Sequence, residues 1–290
     1  MDVNVLNAIY TIVKNPINEL KSYYQNRNRA NSMGGALEEY IKDVFANTLT
    51  ETDELKRLEI FQEKFSYLGN QNNPPDTIIR GGDAIEVKKI ETKTASLALN
   101  SSYPKAKLFS SSNMITEECR KCEDWQEKDI LYAIGVIPKE NGKEGKHLSI
   151  LPFVYGVDYA ASADVYERIK NVISEGINSI SDVEFSQTNE LGRVNKVDPL
   201  GITYLRIRGM WGIENPLKTF NYVIQEIANS NFKFIAIINA EKYDSFNEED
   251  RNRLENLTKT EQNLKITDVK IKTPDNPAKL KNAKFITFYR

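Results

Sequence analysis

The sequence predicts an α/β (α+β) fold in which a central mixed β-sheet is flanked by helices. Two patterns support this prediction: apolar residues recur every three or four positions in some segments, and they alternate or form short runs in others. Segments of both kinds are mixed along the chain, as is typical of helices packed on a sheet. Helices are predicted at residues 3–24, 35–48, 52–65, 163–173 and 216–229, and strands at 77–79, 84–90, 130–137, 147–154, 203–207, 232–239 and 284–289.

Proline and serine residues are predicted to set helix boundaries. Pro16 interrupts the first helical segment and starts a second helix, because proline is tolerated in a first turn but not in a helix interior. Ser162 is predicted to cap the helix at 163–173, since its hydroxyl can accept a hydrogen bond from a free amide of the first turn. We interpret residues 1 to about 30 as a helical embellishment of a single domain that spans residues 1–290.

The helix at 35–48 indicates which of two adjacent glutamates can face inward. At 100° per residue, Glu38 lies at the edge of the apolar stripe, whereas Glu39 lies nearly opposite that stripe. Only Glu38 can therefore reach the interior. The stripe consists of Leu37, Tyr40, Ile41, Val44 and Phe45.

A β-hairpin is predicted to bring three charged residues together. Residues 70–76 have the composition of a loop, and Gly81-Gly82 supplies a tight turn between the strands at 77–79 and 84–90. Glu86 and Lys88 share one face of the second strand, and the turn brings Asp76 beside Glu86.

Two carboxylates and an ammonium group form the arrangement that metal-assisted phosphodiester hydrolysis requires. Mg²⁺ prefers oxygen ligands and keeps several waters. The lysine can orient the attacking water or stabilise the charge that develops on phosphate. The alternative is a solvated cross-strand pair without a catalytic role.

The Glu-x-Lys triplet alone does not separate these readings. With 26 Glu and 27 Lys in 290 residues, chance predicts roughly 2.4 such triplets, and five occur. Only the triplet at Glu86 combines an apolar strand, a preceding Pro75-Asp76 and a hairpin turn.

Five longer stretches carry a family resemblance. They are Arg80-Gly-Gly-Asp-Ala-Ile-Glu-Val-Lys-Lys-Ile-Glu91, Ala98-Leu-Asn-Ser-Ser-Tyr-Pro-Lys105, Cys119-Arg-Lys-Cys-Glu-Asp-Trp125, Asn189-Glu-Leu-Gly-Arg-Val-Asn-Lys-Val-Asp-Pro-Leu-Gly201 and Leu205-Arg-Ile-Arg-Gly-Met-Trp211. Together with Pro75-Asp76 and Glu86-Val87-Lys88, they resemble the NgoPII-type type II restriction endonucleases, a family of the PD-(D/E)xK nuclease superfamily.

The resemblance implies a restriction-endonuclease-like PD-(D/E)xK core and an enzyme that depends on Mg²⁺, for which Mn²⁺ can substitute. Such an enzyme cuts double-stranded DNA at a short palindrome, here GGCC, and leaves 5′-phosphate and 3′-hydroxyl ends. Asp76 and Glu86 match the metal ligands, and Lys88 matches the catalytic lysine. Many superfamily members add a glutamate from the preceding helix, for which Glu38 is our candidate and Glu39 the alternative.

The resemblance also implies partners and a location. A palindromic site implies a homodimer, and a restriction enzyme needs a cognate DNA methyltransferase as its genetic partner. We expect a cytoplasmic protein without membrane association, because no apolar run approaches the roughly 18–20 residues needed to cross a bilayer.

The net charge of −2 conceals segregated charge. Residues 80–110, 193–219 and 265–290 carry net charges of +3, +3 and +5, so the remaining residues carry −13. Basic segments of this kind suit a DNA partner.

Candidate DNA contacts fall in the first two of these segments. The hydroxyl and amide groups around residues 100–105 suit phosphate contact. Arg206 and Arg208 alternate on a predicted strand and can each donate two hydrogen bonds to guanine. The alternatives are a polar turn and a basic sheet face with ordinary ion pairs. The candidates are Lys89, Asn100, Ser101, Ser102, Tyr103, Lys105, Arg193, Lys196, Arg206 and Arg208.

Other functions remain open from the residues alone. A repair or structure-selective nuclease would share the hairpin, and a non-catalytic DNA-binding module would share the basic segments. Cys119 and Cys122 form a C-x-x-C pair, but zinc needs two more ligands and the chain has one His and no third Cys. We expect two reduced thiols, with a redox protein as a remote alternative.

Overall fold

The computed structural model describes residues 3–25, 32–70, 73–112, 114–188, 190–224 and 230–290. The helices are α1 (Val5–Lys14), α2 (Leu20–Gln25), α3 (Met33–Ala46), α4 (Glu54–Lys64), α5 (Glu117–Lys121), α6 (Gly156–Tyr159), α7 (Ala163–Asn178), α8 (Pro216–Thr219), α9 (Ala240–Ser245) and α10 (Glu248–Thr260). The strands are β1 (Phe65–Asn70), β2 (Asn73–Ile79), β3 (Ala84–Ile90), β4 (Leu97–Asn100), β5 (Lys107–Phe109), β6 (Glu127–Val136), β7 (Ile150–Tyr155), β8 (Glu184–Phe185), β9 (Gly192–Asn195), β10 (Leu205–Ile207), β11 (Trp211–Ile213), β12 (Lys233–Asn239), β13 (Leu264–Lys272) and β14 (Leu280–Tyr289).

A mixed sheet runs in the order β1-β2-β3-β6-β7-β12-β14-β13, and β5 pairs with β6 outside this path. The pairs β3/β6 and β7/β12 are parallel, and the other pairs of the sheet are antiparallel. The predicted mixed sheet with flanking helices is therefore confirmed. Two smaller sheets, β10-β9-β8 and β11-β4, lie apart from it.

The sheet separates two apolar cores because successive strand residues point to opposite faces. On β3, Ile85 and Val87 join the core that contains α1, α3 and α10, whereas Ala84 and Ile90 join the core on the other face. The N-terminal helix α1 contributes Leu6, Ile9 and Ile12 to the first core and is almost entirely buried.

The predicted loop at 70–76 is wrong from Asn73 onward, because β2 begins there and pairs with β1. The register shifts between Leu68 and Asn70, which places Pro74 and Pro75 in the irregular part of the ladder. Proline cannot donate a ladder hydrogen bond, so it is tolerated at such an irregularity.

Two helix predictions also need correction. The predicted helix at 216–229 ends at Thr219, and its residues 225–229 lie outside the described part of the chain. Ser162 does stand at the N-cap of α7, but its hydroxyl caps no amide; instead the amide and hydroxyl of Ser162 donate to Asp275 at 2.9 and 3.2 Å.

Some boundaries and elements were not predicted. The strands predicted at 147–154 and 203–207 begin later, at Ile150 and Leu205. The strands β1 and β13 and the helix α10 were missed, because α10 is mostly polar and β13 is an edge strand with many exposed residues. None of the described helices is both long and apolar enough to cross a membrane.

Candidate active site

Asp76, Glu86 and Lys88 lie together where the β2–β3 hairpin opens. Regular pairing of the two strands ends at Thr77. Beyond it, the amide of Val87 donates to Asp76 Oδ2 at 2.6 Å instead of to a main-chain carbonyl. The Nζ atom of Lys88 lies 2.5 Å from Glu86 Oε1. The structure thus brings together the three residues that the hairpin prediction placed side by side.

A glycine on the neighbouring strand allows Asp76 to take this position. A Cβ atom on Gly69 would lie 2.4 Å from the carbonyl oxygen of Pro75 and 2.8 Å from that of Asp76. Both distances are shorter than real Cβ contacts, and the atoms in the way are backbone. The absence of a side chain at Gly69 therefore sets the path of β2 beside the site.

Asp76 and Glu86 are buried close to each other, so it is unfavourable for both carboxyl groups to be negatively charged. Burial, and then the negative charge of Glu86, raise the pKa of Asp76 to about 8, although Lys88 and the Val87 amide act in the opposite direction. Glu86 is only 8% exposed, and its Oε2 atom has no hydrogen-bond partner among the described residues. Such an oxygen costs free energy unless a cation or a proton neutralises it.

Lys88 keeps its charge in this surrounding. Burial alone would lower the pKa of Lys88, but Glu86, Asp76 and Glu38 together raise it above the ordinary lysine value. Lys88 is therefore a cation beside the two carboxylates of the site.

The two adjacent glutamates of α3 have different neighbours. Burial raises the pKa of Glu38, with further effects from Lys88 and Glu86, which places Glu38 within electrostatic range of the site. Glu39 instead pairs with Lys42 and Arg57, each at 2.5 Å. Although burial alone would raise the pKa of Glu39, these cations lower it. The structure places Glu38, and not Glu39, toward the hairpin.

A cleft of about 120 Å³ joins the hairpin to the predicted phosphate-binding segment. Its lining includes Asp76, Glu86 and Lys88 on one side. On the other side the lining consists of Asn100, Ser101, Ser102, Tyr103, Pro104 and Lys105. Residues from two distant stretches of the sequence thus face one small space.

Lys105 is a second lysine at this cleft. It is only 8% exposed, and burial lowers its pKa, while Glu86 and Glu167 raise it. The main chain at Lys105 is held by Tyr132, whose hydroxyl accepts from the Lys105 amide at 2.7 Å and donates to its carbonyl at 3.2 Å. A Cβ atom on Gly156 would lie 2.3 Å from that carbonyl, so a glycine is required there.

A larger cleft of about 840 Å³ adjoins the first and shares the segment from Ser101 to Lys105 with it. Its far side includes Glu190 and Arg208. Glu190 accepts two hydrogen bonds from Arg206, at 2.5 and 2.9 Å, and one from Arg208 at 2.5 Å. Arg206 and Arg208 therefore reach the same carboxylate, although β10 ends at Ile207, and in this structure they form ion pairs as the alternative interpretation expected.

Three further DNA-contact candidates, Lys89, Arg193 and Lys196, lie outside both clefts and interact with other residues. Lys89 pairs with Glu144 at 3.0 Å, and Lys196 pairs with Glu184 at 2.7 Å. The guanidinium of Arg193 stacks 4.2 Å above the ring of Tyr204. None of these three lines either cleft.

Sequence reasoning missed Tyr132, which holds Lys105, and Glu190, which holds the two arginines. Glu190 stood inside a stretch that carries the family resemblance, but neither residue belongs to a local pattern. Cys119 and Cys122 are free thiols. Burial raises the pKa of Cys119 to about 12, which is the opposite of what a redox-active thiolate needs.

The donor set at the hairpin fits a hard divalent cation. Asp76 and Glu86 offer carboxylate oxygens, one of which lacks any partner among the described residues. No three His, Cys, Asp or Glu side chains in the described ranges form a complete metal-binding group. A cation here would take further ligands from water, backbone or substrate, as Mg²⁺ does.

Comparison with known proteins identifies the family. The family described as NgoPII restriction endonuclease matches residues 3–272. The chain is 50% identical over 287 residues to the type II restriction enzyme NgoPII of Neisseria gonorrhoeae, and the match covers 99% of this chain and 100% of that enzyme. No solved structure matches significantly. The resemblance found in the sequence is confirmed, and the chain belongs to the NgoPII restriction endonuclease family.

Proposed function

We propose that this restriction endonuclease hydrolyses phosphodiester bonds of double-stranded DNA with Mg²⁺ at the palindrome GGCC, leaving 5′-phosphate and 3′-hydroxyl ends. The observation that carries the proposal is the grouping of Asp76, Glu86 and Lys88 at a cleft, with a buried Glu86 oxygen that lacks a partner among the described residues. A structural ion pair would not leave that oxygen unmatched.

Asp76 and Glu86 would hold the metal ion, and we assign Glu38 to a water ligand because Lys88 and Glu86 both influence its pKa. Mn²⁺ can replace Mg²⁺ because both prefer oxygen ligands. When bound, the ion polarises the scissile phosphoryl group and lowers the pKa of its water.

The chain's own cations act on the phosphate. Lys88 is held at Glu86 and kept protonated by three carboxylates, so it can orient the attacking water by hydrogen bonding and stabilise the charge that develops on phosphate. Lys105 lines the same cleft, and its main chain is hydrogen bonded to the hydroxyl of Tyr132. Its ammonium group can therefore bind a phosphate oxygen of the same DNA strand. The hydroxyl and amide groups of Asn100, Ser101, Ser102 and Tyr103 supply further phosphate contacts.

Base recognition is assigned to Arg208, which lines the larger cleft, and to Arg206 beside it. Arg206 and Arg208 are held side by side by one carboxylate, and each can donate two hydrogen bonds to O6 and N7 of a guanine. We propose that Lys89, Arg193 and Lys196, which line neither cleft, contact the DNA outside the clefts, with Arg193 and Lys196 as weaker candidates for base readout.

A palindromic site further supports a homodimer, and the cognate partner in the cell is a DNA methyltransferase that protects the same sequence. We place the enzyme in the cytoplasm with its DNA and treat residues 1–290 as a single domain, because α1 packs with α3 and α10 in the first core.

The test is digestion of plasmid DNA with Mg²⁺ by wild type, Glu86→Ala and Lys88→Ala. We expect discrete fragments from the wild type that map to GGCC sites, and none from either variant. A smear from the wild type would instead indicate a structure-selective nuclease, and DNA binding without cleavage would indicate a non-catalytic module. Fragments that map to another palindrome would leave the chemistry standing and overturn GGCC.

A further inference from the structure

The helix α7 is unusual among the longer described helices because none of its 16 residues is buried. An isolated helix of this length is marginal in water, and helices in proteins persist mainly by packing an apolar face. Among the described residues, the helix is attached on one side. There Ser174 donates to the carbonyl of Leu191 at 2.9 Å, and Ile177 packs against Gly192.

The neighbouring side of α7, turned by about 40–140° from Ile177 at 100° per residue, is apolar and exposed to solvent. Val165, Ile169, Val172 and Ile173 are 38%, 44%, 60% and 45% exposed. At 100° per residue these side chains fall on one stripe. Ile180 and Val183, which follow the helix, are also exposed. A contiguous apolar surface of this kind indicates an interface and not an ordinary solvated helix.

Charged residues beside the stripe are complementary to their own copies. Arg168 and Glu175 lie on the same flank of the stripe and are seven residues, or two turns, apart. Neither has an ion-pair partner within the part of the chain that the structure describes. When two identical helices pack antiparallel about a two-fold axis, each flank meets the same flank of the other helix. With the axis between Asn171 and Val172, Arg168 faces the partner's Glu175.

We propose that α7 packs antiparallel against α7 of a second copy of this chain and forms the homodimer interface. The two-fold axis passes between residues 171 and 172. The apolar stripes form the centre of the interface, and two symmetric Arg168–Glu175 ion pairs close its edge. A second copy is favoured over another partner because the charge pattern is self-complementary.

The position of α7 agrees with the proposed cleavage of a palindrome, on which this assignment of the partner rests. Asp164, Glu167 and Lys170 of the same helix line the larger cleft. None of the apolar stripe residues lines that cleft, so a second copy docked on the stripe leaves the cleft of each copy open.

Charge reversal tests the ion pairs. Arg168→Glu and Glu175→Arg should each raise the dimer dissociation constant about tenfold or more, because like charges then face each other. The double variant restores opposite charges and should return the constant to near the wild-type value. Sedimentation velocity without DNA measures the dimer dissociation constant of each variant. A wild-type protein that stays monomeric at about 50 μM, or a double variant no tighter than the single ones, would overturn the proposal.

A cysteine pair tests the register. In a Cys122→Ser background, Val172→Cys lies next to the axis, so its two copies should form a disulfide-linked dimer under mild oxidation. Val165→Cys is the matched control. Its copies would be about 20 Å apart along the helix at 1.5 Å per residue, too far for a disulfide. Equal cross-linking of both variants, or of neither, would contradict the assigned axis.

These readouts are independent of catalysis. The Glu86→Ala variant should dimerise like the wild type, so a failure of the proposed nuclease activity would leave the dimer intact. A monomeric wild type that still cuts DNA would overturn the interface alone.

Discussion

Two acidic clusters meet at α3, and they differ in whether their carboxylates are matched. In the first, Glu39 and Asp43 are bound by Arg57, whose nitrogen atoms lie 2.5 and 2.6 Å from their oxygens. Lys42 forms an ion pair with the other oxygen of Glu39, and the hydroxyl of Tyr24 donates a hydrogen bond to the other oxygen of Asp43 at 2.9 Å. Every oxygen of these two buried carboxylates has a donor.

In the second cluster the carboxylates outnumber their donors. Glu86 Oε2 has no partner among the described residues, and Asp76 has its pKa raised to about 8 by burial and by Glu86. The contrast extends to adjacent residues of one helix, because the pKa of Glu38 is raised by burial whereas the cations beside Glu39 lower its pKa. The same residue types thus serve structure where they are matched, and where they are not matched they are our candidates for binding a cation.

The largest expected effect is on the unmatched cluster. Glu86→Gln removes a cation ligand, so the single-turnover cleavage rate of a labelled duplex should fall at least about 10³-fold. The thermal unfolding temperature should change little, because the weakened ion pair with Lys88 is offset by relief of the repulsion between Glu86 and Asp76. Glu91→Gln, at the end of the same hairpin, is the matched control and should cleave like the wild type. Retention of wild-type activity by Glu86→Gln would remove Glu86 from the site.

The matched cluster should respond in stability instead. Arg57→Met leaves Asp43 buried without its main cation, so the free energy of unfolding should fall by about 3–5 kcal/mol. Urea denaturation measures this, and Lys56→Met, an exposed neighbour, is the control. A loss below about 1 kcal/mol would mean that the Arg57 cluster is as dispensable as a surface ion pair.

The raised pKa of Asp76 predicts a dependence of stability on pH. A carboxyl group with a raised folded-state pKa is favourable when protonated, and its contribution is lost as the pH rises through about 8. In metal-free buffer, Asp76→Asn should therefore be increasingly more stable than the wild type as the pH rises from about 4 to about 8. Asp268→Asn, at an exposed ion pair on the edge strand, is the matched control. An unchanged difference in unfolding temperature across this range would show that Asp76 is not held in an unfavourable charged state.

The binding of a divalent cation should be coupled to the same proton. Cation affinity of the wild type, measured by calorimetry with Mg²⁺, should weaken by up to about tenfold per pH unit below 8, because the ion must displace the proton of the acidic pair. The Arg57 cluster binds no cation in this way, so Asp43→Asn should leave the pH dependence of Mg²⁺ affinity as it is in the wild type. An affinity that does not change between pH 6 and 8 would separate the titration from cation binding.

The smallest effect concerns Glu190, a matched carboxylate beside the larger cleft. Glu190→Gln weakens the hydrogen bonds that hold Arg206 and Arg208. The specificity ratio, which is kcat/KM for a GGCC duplex divided by kcat/KM for a duplex with one changed base, should therefore fall about 5- to 50-fold. Cleavage of GGCC itself should change less. Glu214→Gln is the control on an exposed ion pair. An unchanged ratio would mean that the arginines need no positioning by Glu190.

The sequence predicted the hairpin cluster because the relevant geometry is local. Alternation along β3 put Glu86 and Lys88 on one face, and nine intervening residues with a Gly-Gly turn were enough to bring Asp76 beside Glu86. Helical periodicity was also enough to choose Glu38 over Glu39. Residues 73–76 were misread because their prolines and asparagine indicate a loop, whereas pairing with β1 makes them part of a strand.

By itself, the sequence determined the family, the mixed sheet and the acidic hairpin, because each depends on local periodicity or on sequence segments that resemble those of the family. Only the tertiary structure decided that Lys105 is buried beside Glu86, that Glu190 binds both arginines, and that the apolar side of α7 is left exposed. Each of these depends on which distant segments pack together, and burial and long-range charge pairing have no signature in the spacing of neighbouring residues.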